Sequence, residues 1–367
     1  MKTVVIGMSG GVDSSVAALL LKKQGYNVIG LFMRNWDSTI NNDYLGNPNL
    51  SNDICPQEED YNDAKKVCET LNIPLHRVDY VKEYWDNVFT YFLDELKKGR
   101  TPNPDVMCNR RMKFGKFLDY AKSRGFSKVA TGHYCNIREN SDGSRDLAMG
   151  ADPGKDQSYF LCMITQEQLQ SAVFPIGSVL KSQVREIARM NNLPNAEKKD
   201  SQGICFLGKI KIQDFLRCHI PERPGDIVNV EGKKLGTHRG LYNYTLGQRK
   251  GIGIPSNTDR KSYVVVAKNF DTNELIIDFD SPAAPHLYSA EAELVEINWI
   301  NKPICQPRKI FARVRYRDPL VEAIIKPLSH GRAKVEFCAP QRAIAPGQVM
   351  AIHDTDRSTV LGGGFYR

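Results

Sequence analysis

Up to about residue 135 the chain alternates short β-branched runs with longer segments of helical periodicity, the pattern of a parallel sheet covered by helices. TVVI at 3–6 reads as a buried strand that runs into a glycine-rich turn. Residues 14–24 carry Val16, Leu19 and Leu20 at helical spacing, with Gly25 where a C-terminal cap belongs. Further strands are expected at 27–33, 74–78 and 128–132, and helices at 57–71, 83–97 and 110–122. The polar stretch 35–55 lacks apolar periodicity and reads as a long surface loop near the site. A hairpin with Asp142-Gly143 at its tip follows, then short helices around Gln166 and over 182–190.

From Ile212 the glycines and prolines multiply, and the last eighty or so residues read as regular short strands at 309–317, 321–325, 333–337, 349–353 and 360–366. That spacing argues for a barrel or sandwich. The expected architecture is an α/β domain with a parallel sheet over 1–211, a small β-rich central domain over 212–285 and a C-terminal β-barrel over 286–367. Hydrophobic residues are 41% and charged residues 25% of the chain, which fits a soluble globular protein and neither a disordered nor a membrane one. The opening TVVIGMSGGVD reaches an aspartate too soon for a signal-peptide core, so the cytoplasm is the expected compartment and no membrane partner is expected. A net charge of +8 leans toward polyanionic partners.

The stretch Gly7, Met8, Ser9, Gly10, Gly11, Val12, Asp13, Ser14 lies between a strand and a helix start, where free backbone N–H groups and the helix dipole attract phosphate. No Gly-Lys pair is followed by Ser or Thr, so this is not a Walker A loop. A lone Gly-Gly pair would be an ordinary βα turn. None of the nine cysteines forms a CxxC, which disfavours zinc ribbons and thioredoxin-like sites. Cys108 follows the rigid Asn103-Pro104-Asp105 approach and precedes Arg110 and Arg111, so it is expected at a helix N-terminus with a stabilised thiolate. Cys205 sits in the glycine-bounded DSQGICFLG, which alone reads equally well as a strand edge.

SGGVDSS resembles the signature of the PP-loop ATP pyrophosphatases, which cleave ATP to AMP and pyrophosphate. Together with TPNPDVMCN, ATGHY, GKDQSYFL, KKDSQGICF and the late PGQ, it makes the chain similar to the bacterial tRNA-specific 2-thiouridylases from Gly7 to Gln348. That resemblance implies ATP at 7–14, with Asp13 managing the charge of pyrophosphate and Mg2+, and with Met33 and Gly132 beside the adenosine. It implies no protein-held metal. Asn103, Pro104 and Asp105 would face the target uridine, with Asp105 moving protons. Cys108 would be the nucleophile and Cys205 the persulfide carrier, the two closing a transient disulfide. His133, Lys155, Asp156, Gln157, Arg315, Tyr316 and Gln348 would contact tRNA. The implied partners are the glutamate, glutamine and lysine tRNAs and a persulfide donor protein. Gln202, where a smaller residue is expected, and the basic CNRRMKF string depart from the pattern without removing a required group.

Alternation over 309–317 puts Phe311, Arg313, Arg315 and Arg317 on one strand face, a stripe suited to backbone phosphates or simply to solvent. HRGLYNYTLGQRKG at 238–251 is a second basic and aromatic stretch. An amidating ligase of the GMP-synthetase or argininosuccinate-synthase kind would need no thiol pair. A non-catalytic RNA-binding protein would release no AMP from ATP.

Overall fold

The computed structural model describes residues 2–37, 40–41, 56–200, 212–255, 261–284 and 286–367. Most of the expected 35–55 loop, and Cys205 with its flanks, lie outside them. The N-terminal sheet is parallel throughout, in the order β3-β2-β1-β4-β7. Its strands are β1 (Thr3–Gly7), β2 (Asn27–Arg34), β3 (Leu75–Asp79), β4 (Val129–Ala130) and β7 (Ala172–Val173). The two-residue β7 had no counterpart among the expected strands, because a strand that short carries no period. Val4 and Ile6 pack under the helices Val12–Lys23 and Pro56–Leu71, while Val5 faces the opposite layer. The first helix ends as expected: Gly25 takes φ +82°, its N–H bonds Lys22 O, and the Tyr26 N–H bonds Leu21 O, which is a Schellman closure.

The C-terminal strands β12 (Tyr288–Trp299), β13 (Arg308–Arg313), β14 (Leu320–Pro327), β15 (Ala333–Arg342), β16 (Val349–His353) and β17 (Thr359–Tyr366) close into a six-stranded barrel. Pairing of β12 with β17 completes the ring and removes its edges. The hairpin β5 (Cys135–Glu139) and β6 (Arg145–Met149) belongs to the N-terminal part of the chain by sequence. It nevertheless pairs with β17, Val360 opposite Leu147 and Thr359 opposite Ala148, so main-chain hydrogen bonds join the barrel to the N-terminal part of the chain. Between them, β8 (Gly225–Asn229), β9 (Lys234–His238), β10 (Tyr263–Asn269) and β11 (Glu274–Phe279) form a small separate sheet.

Two expectations need correction here. Trp36 is no part of a surface loop: its ring is buried against Trp85, Phe89 and Phe215. The arginine stripe also fails, because β13 stops at Arg313 and the chain turns through Arg315 to Arg317, where φ is +70°. Arg313 is buried on the barrel's outer wall, 3.6 Å from the Asp156 carboxylate, which also accepts from the Gly150 and Ser158 amides and the Ser158 hydroxyl.

His353 shares this seam, fully buried, with the Arg357 backbone and the Arg313 charge beside its ring. Burial, helped by the nearby Arg313 charge, pushes its pKa down from 6.5 to about 3. Above 6.5 the ring is neutral folded or unfolded; below it the unfolded chain takes up a proton that the folded chain refuses until about pH 3, so stability falls across that window. Thermal melts at pH 7.5 and pH 5 should therefore differ more for the wild type than for His353→Leu. Equal differences in the two proteins would remove His353 as a source of acid sensitivity.

Candidate active site

The phosphate loop is shaped by its own hydroxyls. Ser9 and Ser14 meet at 3.2 Å, the Ser14 and Ser15 hydroxyls donate to Gly11 O at 3.0 Å, and the Gly11 N–H reaches Ser9 Oγ. With Gly11 as N-cap, the amides of Val12, Asp13 and Ser14 open the helix and have no acceptor among the described residues. Such a trio of unspent donors at a positive helix end fits a phosphate. Gly132, just past β4, presses on the loop from the side: a Cβ there would sit 2.8 Å from Asp13 C and Ser14 N. Met33 lies at the end of β2, so both residues expected beside the nucleotide flank the C-terminal ends of parallel strands, where open α/β sheets bind ligands.

Several residues that the sequence did not single out complete this site. Asn195, buried, donates to Gly10 O at 2.9 Å and Ser15 Oγ at 3.0 Å. Asp13 Oδ1 accepts from Lys181 Nζ at 2.6 Å and from the Tyr134 hydroxyl at 2.7 Å. Burial and the Asp13 charge push the Tyr134 phenol far up, so it stays a donor. Lys181 also reaches Asp200, 2.8 Å away, which takes Lys155 at 2.7 Å and Arg185 at 2.6 Å as well. Burial works against the Asp200 charge, yet Lys155 and Lys181 prevail and hold its pKa at about 2.

The second half of the site is a helical run that opens at Pro104. Asn103 caps it by accepting from the Val106 N–H at 3.3 Å, and Pro104 takes the first helical position, where no N–H is needed. Cys108 is therefore not at the helix N-terminus. Its N–H already bonds Pro104 O, and it begins a π-type stretch, Cys108–Lys116, of the kind that marks functional sites. The expected arginine support is also absent on one side, since Arg111 turns to Asn87 O and lies over the Tyr91 ring. Cys108 is only 2% exposed, in a core shared with Phe215 and with the barrel residues Val349, Ala351 and Phe365. Nine residues on, Phe117 ends the approach to the phosphate loop, its ring 3.3 Å from where a Cβ on Gly7 would stand.

The residues expected to meet tRNA fall into two groups. His133 and Asp156 are buried: the His133 ring bonds Thr131 Oγ1 at 2.7 Å, and burial keeps it neutral. Gln157 clasps the Tyr134 backbone with its own N–H and Oε1, which steadies the tyrosine on Asp13. Lys155 is paired with Asp200. On the barrel side, Arg315 donates to Leu246 O and Ala343 O, and Tyr316 lies 4.3 Å from Phe160. Phe160 O in turn accepts from Asn109, next to Cys108. Gln348 donates to Thr101 O at 2.8 Å, two residues before Asn103.

Family models cover almost all of the chain: a tRNA methyl transferase HUP domain at 2–209, a tRNA methyl transferase PRC-barrel domain at 213–278 and an aminomethyltransferase beta-barrel domain at 289–365. The tRNA-specific 2-thiouridylase MnmA of Halalkalibacterium halodurans is 47% identical over 98% of this chain and 93% of its own length. That of Acholeplasma laidlawii is 46% identical over 99% and 96%. The chain belongs to the tRNA-specific 2-thiouridylase family. A solved 4-thiouridine synthetase in complex with RNA and ATP is similar at 19% identity and a TM-score of 0.37, covering 60% of this chain and 50% of its own.

In this thiouridylase the nucleotide half and the thiol half are built on different elements and meet at Gly7. Asn195 is the added residue that most directly holds the loop, and it lies outside every motif. Removing two buried hydrogen bonds costs on the order of 1–3 kcal/mol when the partners are left unsatisfied. Asn195→Leu should weaken ATP binding by about tenfold or more in calorimetric titration. Unchanged affinity would mean that the loop keeps its shape without this clamp.

Proposed function

We propose that the protein replaces the C2 oxygen of the wobble uridine of tRNA by sulfur, with ATP activating the oxygen and a cysteine persulfide supplying the sulfur. The observation that carries this reading is the brace at Gly7: one rigid helix runs from the Asn103, Pro104 and Asp105 approach and Cys108 to the phosphate loop. Gly7, Met8, Ser9, Gly10, Gly11, Val12, Asp13 and Ser14 would hold the phosphates, with Met33 and Gly132 beside the adenosine. ATP contributes an α-phosphate that turns the uridine oxygen into a leaving group. Among the described residues no group of three or more His, Cys, Asp or Glu could hold a metal alone, so Mg2+ would enter with the nucleotide, next to Asp13.

The uridine O2 attacks the α-phosphorus, pyrophosphate leaves, and Asp105 accepts the proton lost from the base. Sulfur then adds at C2 and AMP departs with the old oxygen. If the outer persulfide sulfur of Cys205 attacks C2 directly, the Cys108 thiolate next attacks Cys205 Sγ, expelling the thiolated base and leaving a Cys108–Cys205 disulfide. If Cys108 attacks first, hydrosulfide is released and adds instead; the disulfide is the same. Two electrons from a cellular dithiol restore both thiols, which fits a cytoplasmic enzyme.

Connectivity supports the pairing. Asp200, five residues before Cys205 in the sequence, is tied to the phosphate-loop network. Phe215, beyond Cys205, is in the same core as Cys108. The tRNA would lie across Lys155, Gln157, Arg315, Tyr316 and Gln348, with His133 and Asp156 shaping the wall behind them. Glutamate, glutamine and lysine tRNAs are the expected substrates, with a persulfide protein as donor. No helix among the described residues is long and apolar enough to cross a membrane.

Cys108→Ser and Cys205→Ser should each abolish 2-thiouridine while tRNA affinity stays within about twofold of wild type. Nucleoside mass analysis of tRNA from cells carrying only the variant reads the first quantity, and filter binding the second. Normal 2-thiouridine in either variant would overturn the thiol roles.

A further inference from the structure

The central sheet meets the N-terminal part of the chain at one cation. Lys268, on β10, donates through its ammonium to Gly99 O at 2.9 Å and to Tyr244 O at 2.7 Å, so a single side chain joins carbonyls from two parts of the fold. Gly99 closes the helix Thr90–Lys97: it takes φ +76°, its N–H bonds Leu96 O, and the Arg100 N–H bonds Glu95 O. A cation on the carbonyl just past a helix C-terminus meets the negative end of the helix dipole. Two residues beyond Lys268, the Phe270 ring lies so close to Gly99 that a Cβ there would stand 1.7 Å from it, and the Lys268 ammonium is 6.0 Å from the centre of the same ring. From this contact the chain runs through Thr101, whose hydroxyl meets Thr245, into the helix cap Asn103.

We propose that Lys268 is a positioning residue for the thiolation reaction, its ammonium holding segment 99–101, and through it Asn103, Pro104 and Asp105, in place against the central sheet. This rests on reading Asn103, Pro104 and Asp105 as the residues that face the target base. The hold depends on the proton. An ammonium offers three donors and no acceptor, and bonds from a charged donor are about twice as strong as neutral ones. A neutral amine would set a lone pair among carbonyl oxygens and lose the attraction of the helix end. Burial pushes the Lys268 pKa down from 10.5 to about 8. No carboxylate among the described residues pairs with it: on the helix that it meets, Asp94 takes Lys97, while Glu95 takes Lys98 and Arg100. Opposite it on β11 stands Leu275, and in the turn between the strands, which carries Asp271, Glu274 takes the Thr272 hydroxyl. Behind the Tyr244 carbonyl, burial raises the phenol of Tyr244 and lowers the facing His238 imidazole, so both stay neutral near pH 8, and Arg239 keeps its charge throughout. The charge that changes near pH 8 at this junction is therefore that of Lys268.

Single-turnover formation of 2-thiouridine by the full chain, pre-loaded with persulfide and given ATP and tRNA, tests this as a function of pH, with calorimetric ATP affinity and thermal melts in parallel. Lys268→Arg keeps the charged donors and does not titrate, whereas Lys268→Met removes them. Between about pH 7 and about pH 9 the wild-type rate should fall about fivefold more than that of Lys268→Arg. At about pH 7, Lys268→Met should be about tenfold slower with ATP affinity within about twofold of wild type, and Lys268→Arg should restore most of the rate. The inference is overturned if wild type and Lys268→Arg lose rate alike with rising pH, if Lys268→Met keeps the wild-type rate, or if Lys268→Met loses ATP affinity in step with rate, the mark of a general loss of structure. A wild-type chain that forms no 2-thiouridine at any of these pH values would instead overturn the reading of the target-base residues.

Discussion

The contact between Phe117 and Gly7 sets the geometry on which the chemistry depends. A phosphate loop activates nothing by itself, and a buried thiol is inert unless its target carbon is delivered next to it. Both are fixed relative to one another because a single helical run is capped at Asn103, carries Cys108 and reaches the end of β1 at Phe117, nine residues later. A side chain at residue 7 would crowd the Phe117 ring, which would have to give by a few tenths of an ångström. The same spot explains why the strand ends in glycine: the residue lies where a loop must be tight on one side and a ring must pass close on the other.

The other domains act on this scaffold through a few directed bonds. The β5–β6 hairpin extends the barrel sheet, and the barrel's Gln348 holds the carbonyl of Thr101 while the Thr101 N–H donates to Pro346 O. The Thr101 hydroxyl meets Thr245 of the central sheet region at 2.8 Å. The segment leading into Asn103 is thus clamped from two sides.

Local signals in the sequence carried far, and nonlocal ones did not. The alternation of β-branched runs and helical periods, the Gly25 closure and the Asp142-Gly143 hairpin are each written within a dozen residues, and each is present. The barrel strand at Val349–His353 was legible to the residue. By contrast, that the 135–149 hairpin joins the barrel depends on a partner two hundred residues away. The arginine stripe looked continuous because alternation says nothing about where a strand ends; the turn after Arg313 ends it. Cys108 was placed at a helix start because prolines suggested a break, whereas Asn103 and Pro104 begin the helix. Lys181, Asn195 and Asp200 converge on the phosphate loop only in three dimensions. The motif strings identified the loop and the cysteines and happened to contain Tyr134, Lys155 and Asp200, whereas Lys181 and Asn195, which also hold the loop, lie in none of them.

In the proposed reaction the uridine oxygen leaves bonded to the α-phosphate while sulfur takes its place on C2. Isotope transfer tests it most directly. With tRNA carrying 18O at C2 of the wobble uridine, one turnover should place the label in AMP, two mass units heavier, and leave none in water or pyrophosphate. Unlabelled AMP beside 2-thiouridine would show that the oxygen departs by another route and would contradict the mechanism.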